Sequence, residues 1–207
     1  MENLNEENLF QAEGPKSKKE KKAKGSFTKG LIEQIELVVI FFAVIILVFS
    51  FACKSCVVDG DSMLDTLHDK ERVLVWDLFY TPQYEDIVVV HDVGDINKPI
   101  VKRVIGLPGD KVTVKHFISS MLVTVEHSDG TVEVLEEEYI RYDTTDGNRS
   151  YYPEIQTYTV GEGEVFVMGD NRLNSKDSRT EGCYDSRQIL GKVVFRMMPF
   201  NKMGTVK

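Results

Sequence analysis

The chain has 207 residues, 42% apolar and 28% charged, enough for one packed domain with a small elaboration. Fifteen Gly and six Pro are ordinary numbers and exclude collagen-like and wholly disordered classes. A formal charge of -8 excludes the net basic face that a nucleic-acid binder needs.

The charge is partitioned along the chain. Residues 1–36 hold seven Lys and seven Glu, residues 37–53 hold no charge, and residues 54–207 hold 18 basic and 26 acidic side chains. Residues 1–29 are polar, lack an apolar period and read as a disordered basic tail. Its seven lysines run from Lys16 to Lys29 with Glu20 as the one acid among them. Lysines ahead of an apolar segment place that flank in the cytoplasm.

Leu37 to Cys53 is 17 residues without a charge. At ~1.5 Å per residue it spans ~25 Å, and Leu31, Ile32 and Ile35 extend it toward the ~30 Å hydrocarbon core. A buried core helix is disfavoured, because the segment is apolar all round and polar blocks bracket it. A cleaved secretory signal would carry an unusually long leading region. Ser50-Phe51-Ala52-Cys53 resembles a lipoprotein cleavage site only faintly, since Phe51 is bulky where a small residue belongs. The reading is an uncleaved signal anchor over 30–53 in the cytoplasmic membrane, with the N-terminus inside and residues 54–207 outside. On that side a disulfide is permitted. Cys56 pairs with Cys183, or with Cys53, or no pair forms, and the odd count leaves a thiol over.

From Val57 onward the sequence has period two or short β-branched runs. The expected strands are Arg72–Trp76, Ile87–His91, Ile100–Ile105, Lys111–Val114, Met121–Glu126, Thr131–Leu135, Glu164–Met168 and Lys192–Met197. Glycine, proline and Asx turns separate them, as in Gly106-Leu107-Pro108-Gly109-Asp110 and Ser128-Asp129-Gly130. The fold class is mainly β: an antiparallel, barrel-like domain over 54–207, preceded by a single N-terminal transmembrane helix. Tyrosine-rich residues 136–159 are weakly patterned and read as an insertion or loop.

Several chemistries are absent from the sequence. There is no His-Glu-x-x-His and no phosphate-cradling glycine loop before a helix. Cys53-x-x-Cys56 lies outside any βαβ context, and His68, His91, His116 and His127 lack ligand spacing. Neither a metal nor a cofactor is expected, and no oligomeric state follows.

Three segments have compositions that are costly in a β domain. Gly60-Asp61-Ser62-Met63-Leu64-Asp65-Thr66-Leu67 reads alone as a turn, although Ser62 lies only nine residues past the anchor, no more than ~30 Å at ~3.3 Å per residue. In Ile100–Asp110, alternation puts Lys102 on the face of Ile100 and Val104, and Arg103 with Val101 and Ile105. One of these cations thus points toward apolar surroundings. Desolvation disfavours an ammonium and leaves Lys102 a candidate general base; the alternative is an edge strand with both cations reaching water. Gly169–Arg179 is almost wholly polar or glycine. In it Asp177 and Arg179 suit a charge-assisted pair, and Ser175 suits exchange of a hydrogen bond with a nearby amine.

These residues resemble the bacterial type I signal peptidases, membrane-anchored serine-lysine endopeptidases. Lys102-Arg103-Val104-Ile105-Gly106-Leu107-Pro108-Gly109-Asp110 follows the family's lysine motif throughout. Gly169-Asp170-Asn171-Arg172, Asn174-Ser175 and Asp177-Ser178-Arg179 follow its C-terminal motif. The resemblance implies Ser62 as nucleophile, its N–H in the oxyanion hole, Lys102 as base, and Ser175 orienting the lysine. It implies structural support from Asp177, Arg179, Gly169, Asp170 and Asn171. The implied substrates are secretory preproteins, cut after an Ala-x-Ala-like site, with membrane lipid as the other partner. Two positions depart from the pattern. Asp65 stands where the family's Ser-Met-x-Pro-Thr-Leu has proline, and Gly60 stands where some members carry a hydroxyl residue. A soluble self-cleaving repressor shares the dyad but not the anchor. The remaining alternative is a catalytically weak homologue that binds signal peptides or a membrane partner.

Overall fold

In the computed structural model the described residues are 16–91, 98–117, 120–141 and 155–206. The chain divides into two units, residues 1–49 and 50–207. Helix α1, Lys16–Ala52, carries the N-terminal unit. Its stretch Lys29–Ser50 is 22 residues long and long and apolar enough to cross a membrane. Apolar side chains such as Leu37, Phe41 and Leu47 are more than half exposed, which suits a membrane-spanning helix. The helix begins at Lys16, inside the segment whose composition reads as disordered; Lys, Glu and Ala are good helix formers, and they prevail there. Cys53, expected as the last anchor residue, instead opens a strand.

Eleven strands form two antiparallel sheets in the described part of the second unit. They are β1 Cys53–Val57, β2 Arg72–Trp76, β3 Ile87–His91, β4 Pro99–Gly106, β5 Lys111–His116, β6 Met121–Glu126, β7 Val132–Val134, β8 Ile155–Thr159, β9 Glu164–Met168, β10 Tyr184–Asp185 and β11 Ile189–Met198. The larger sheet has the order β1-β2-β11-β3-β4-β9-β10 and the smaller β7-β6-β5-β8. The mainly β class holds, as a curled antiparallel half-barrel. β2, β3, β6 and β9 keep the bounds that the sequence pattern sets.

Burial follows the pattern of each strand. In β5 and β6, Val112, Val114, Met121, Val123 and Val125 point inward and pack with Ile105, Phe166 and Met168, alternating with less buried residues that are polar except for Leu122. β3 is buried on both faces: Ile87 and Val89 join one core cluster, Val88 and Val90 another. The central strand β4 lies between β3 and β9, with Lys102 opposite Val88 and Arg103 opposite both Ile87 and Met168. Its two cations are therefore set in the middle of the larger sheet.

Segment 136–159 is not wholly a loop. Its end forms β8, which pairs with β5 from Lys111↔Thr159 to Lys115↔Ile155, and its start reaches the site described below. Residues 142–154 lie outside the described residues. In this structure Cys53, Cys56 and Cys183 are free thiols.

Candidate active site

Ser62 sits in the turn that follows β1. Val58 N–H donates to Glu71 O and Lys70 N–H to Val58 O, both at 2.9 Å, so the chain between is pinched into a closed loop. The loop turns at Gly60, whose φ of +92° favours a residue without a Cβ, and the Gly60 N–H donates to Asp69 Oδ1 at 2.9 Å. Met63 and Leu67 are fully buried and fasten the turn to the core. Ser62, between exposed Asp61 and buried Met63, is left half-buried.

Lys102 arrives from β4. The side chain is buried, and its Nζ lies 2.8 Å from Ser62 Oγ and 3.0 Å from the carbonyl of Val101. A hydroxyl and a desolvated amine in contact are the parts of a nucleophile and its base.

The segment after β9 holds both in place. Asn171 N–H donates to Ser62 O at 3.0 Å, and its side-chain amide donates to Asp61 O at 3.1 Å. Gly169 passes so close that a Cβ there would stand 2.3 Å from Ser175 Oγ and 2.5 Å from Ser62 O. Ser175 is buried beside this contact. Its Oγ makes no hydrogen bond of good geometry, although it lies near enough to Asp177 to help stabilise that carboxylate.

Three buried arginine–carboxylate forks frame the site. Arg103 donates through Nε to Asp170 Oδ1 at 2.9 Å and through Nη2 to Oδ2 at 2.7 Å, and it lies 3.8 Å from the centroid of the Tyr139 ring. Asp170 also accepts from Thr66 Oγ1 at 2.5 Å, tying the far end of the Ser62 turn to the same pair. Arg172 forks onto Glu137, and its Nε donates to Gly169 O at 3.1 Å. Arg179 forks onto Asp177 with two contacts of 2.8 Å, and Asp177 accepts the Gly169 N–H at 3.0 Å. Planar forks of this kind fix direction as well as distance.

Charge and burial oppose each other here, and the pairs decide the outcome. Burial alone would raise the Asp177 carboxyl, but the Arg179 charge and hydrogen bonds, with the Gly169 N–H, hold it below the ordinary carboxylate value. Burial likewise works against the Arg103 guanidinium, and Asp170 overrides it. Burial, joined by the Glu137 carboxylate, pushes the Tyr139 phenol up.

The structure thus brings Ser62, Lys102, Gly169, Asp170, Asn171, Ser175, Asp177 and Arg179 into one contiguous cluster. Sequence reasoning missed Thr66, Glu137 and Tyr139, and it assigned Arg103 and Arg172 no partner. Arg103 left a signal, a second cation in an apolar strand. Glu137 left none, because Glu136 and Glu138 flank it. Among the described residues, no group of His, Cys, Asp and Glu could hold a metal ion.

Residues 31–198 match the family described as signal peptidase, peptidase S26. The chain belongs to this family. Signal peptidase I S of Bacillus subtilis strain 168 is 35% identical over 179 residues, covering 84% of this chain and 93% of the relative. Signal peptidase IB of Staphylococcus aureus strain Mu50 is 33% identical over 188 residues, with the same two coverages. A signal peptidase I of Bacillus amyloliquefaciens is 34% identical over 199 residues, covering 93% of this chain and all of the relative. A crystal structure of a signal peptidase I from Enterococcus faecalis V583 shares 28% identity and covers 56% of this chain and 98% of its own, with a TM-score of 0.39.

As a signal peptidase of family S26, the chain is a serine endopeptidase, and preproteins that carry signal peptides are its class of substrate. The apolar helix fits the single-pass anchor of a membrane-associated member.

Proposed function

We propose that this signal peptidase cleaves preproteins by a Ser62–Lys102 dyad at the outer face of the cytoplasmic membrane. The 2.8 Å approach of Lys102 Nζ to Ser62 Oγ carries the reading. Burial disfavours the ammonium form, so the amine is available to accept the hydroxyl proton as Oγ attacks the scissile carbonyl. The same proton then passes to the leaving amine, and water repeats the sequence on the acyl-enzyme. The Ser62 N–H makes no hydrogen bond among the described residues and is free to donate to the oxyanion.

Ser175 is a positioning residue for the lysine, buried against Gly169 on the Ser62 side of the cluster. Asp177, Arg179, Asp170 and Asn171 hold the segment and do not react. The extended preprotein adds to the β domain as a strand, with small side chains before the scissile bond. Seven lysines ahead of the anchor set the N-terminus inside, where lipid meets residues 30–53.

The test is cleavage of a preprotein with an Ala-x-Ala site by the full-length protein in detergent, beside Ser62→Ala and Lys102→Ala. Cleavage by the wild type alone, with a new N-terminus directly after that site, is expected. Undiminished cleavage by either variant overturns the dyad.

A further inference from the structure

Asp65 stands at the rim of the turn that carries Ser62, where the signal-peptidase pattern has proline. Arg141 Nη1 donates to its Oδ1 at 3.1 Å. The two side chains are 67% and 38% exposed, so the pair lies in solvent and contributes little to overall stability.

What distinguishes it is the backbone behind Arg141. The Arg141 N–H donates to Asp170 O at 2.8 Å, and Arg172 N–H donates to Arg141 O at 2.9 Å, forming a parallel bridge to Asn171. Two and four residues earlier, Tyr139 lies over Arg103 and Glu137 accepts the Arg172 fork. The guanidinium therefore projects from a backbone locked to the Gly169–Arg179 segment, and it ends on the Ser62 turn.

On that turn the fastenings lie to either side of Asp65. Met63 is buried before it, and Thr66 after it donates to Asp170 and accepts Arg196 Nη2 at 2.5 Å. Proline at 65 would hold φ near -65° and narrow the paths of the turn, whereas aspartate leaves them open. Sub-ångström placement matters here, because a shift of about 1 Å between reacting groups costs about a hundredfold in rate.

We propose that the Asp65–Arg141 pair is a latch that positions the Ser62 turn against the Gly169–Arg179 segment, doing by charge what a proline ring does by fixing φ. It rests on the reading of Ser62 as nucleophile. Neither residue touches the reacting atoms; both are positioning residues. Among the described residues the Asp65 N–H makes no backbone hydrogen bond, so a proline there removes none.

The experiment uses the full-length protein in detergent and one preprotein with an Ala-x-Ala site, and it separates kcat from KM. Asp65→Asn and Arg141→Gln each lower kcat about three- to tenfold with KM unchanged. The charge reversal Asp65→Arg with Arg141→Asp recovers most of the loss, as direct coupling of the two side chains requires, while the unchanged KM separates positioning of the nucleophile from a merely structural role. In an Asp65→Pro background, Arg141→Gln costs less than it does in the wild type. Two results overturn the latch: wild-type kcat in both single variants, or a reversal no better than either. Ser62→Ala runs alongside as the control for the nucleophile. If it still cleaves, that reading fails and takes the latch with it, whereas an inert Ser62→Ala with silent latch variants removes the latch alone.

Discussion

A Cβ on Gly169 would stand 2.5 Å from the carbonyl oxygen of Ser62 and 2.3 Å from Ser175 Oγ. The contact is one of close approach, and backbone strain has no part in it. Gly169→Ala must push the Ser62 turn away from its support. It is expected to lower kcat at least tenfold, about a 1.4 kcal/mol rise in barrier, with the protein still folded. Wild-type kcat in that variant would mean the turn yields without moving Oγ.

A lysine base works only when neutral, so under the proposed Ser62–Lys102 dyad activity should fall as pH drops and the amine takes a proton. Burial of Lys102 disfavours its ammonium form, so the expectation is an acid limb below the ~10.4 of an exposed lysine. A kcat/KM profile from about pH 6 to about pH 10 reads it directly, and an acid limb centred near 10.4 contradicts the buried base. Lys102→Arg, permanently charged, should be inactive at every pH.

Glu137→Gln leaves Arg172 buried with its charge uncompensated. Breaking a buried pair costs about 3–5 kcal/mol, and in a domain of this size each kcal/mol lowers Tm by about 2–4 °C. A drop of at least about 6 °C in thermal unfolding is expected. Glu136→Gln and Glu138→Gln, at exposed neighbours, should shift Tm by less than about 2 °C.

Asp177 predicts an acid limb in stability. Its carboxyl sits below the ordinary 3.8, so its contribution is fully present above that value and is lost as pH falls through the lower folded value. The Tm gap between wild type and Asp177→Asn should therefore narrow as pH falls from about 4 toward about 2. A gap constant over that range would mean the carboxylate charge does not contribute.

The strands with clean alternation were legible because one face of each is core: Val112 and Val114 in β5, Met121, Val123 and Val125 in β6. β1 was not, since Cys53-Lys54-Ser55-Cys56-Val57 continues an apolar helix and has no alternation of its own; pairing from Cys53↔Trp76 to Val57↔Arg72 makes it a strand. β8 hid among polar residues, because Gln156, Thr157 and Thr159 present no apolar face. Of the site, Asp177 and Arg179 were readable as a pair two residues apart. Arg103 and Asp170 lie 67 residues apart, and Arg172 and Glu137 lie 35 apart. No local pattern could choose Glu137 from three consecutive glutamates; only the approach of that segment to β9 does.

The sequence distances within the site have a bearing on when it is braced. Ser62 and Lys102 are 40 residues apart, Thr66 and Asp170 104, and Asp61 and Asn171 110. Contacts of such span carry a high loop-closure cost, and those to Asp170 and Asn171 need the C-terminal part of the chain. A chain interrupted before Gly169 holds both the hydroxyl and the amine but lacks the Asn171 hydrogen bonds and the Gly169 contact that brace the Ser62 turn. During synthesis the Ser62 turn therefore gains its bracing only once the Gly169–Arg179 segment has been made and has folded back onto it.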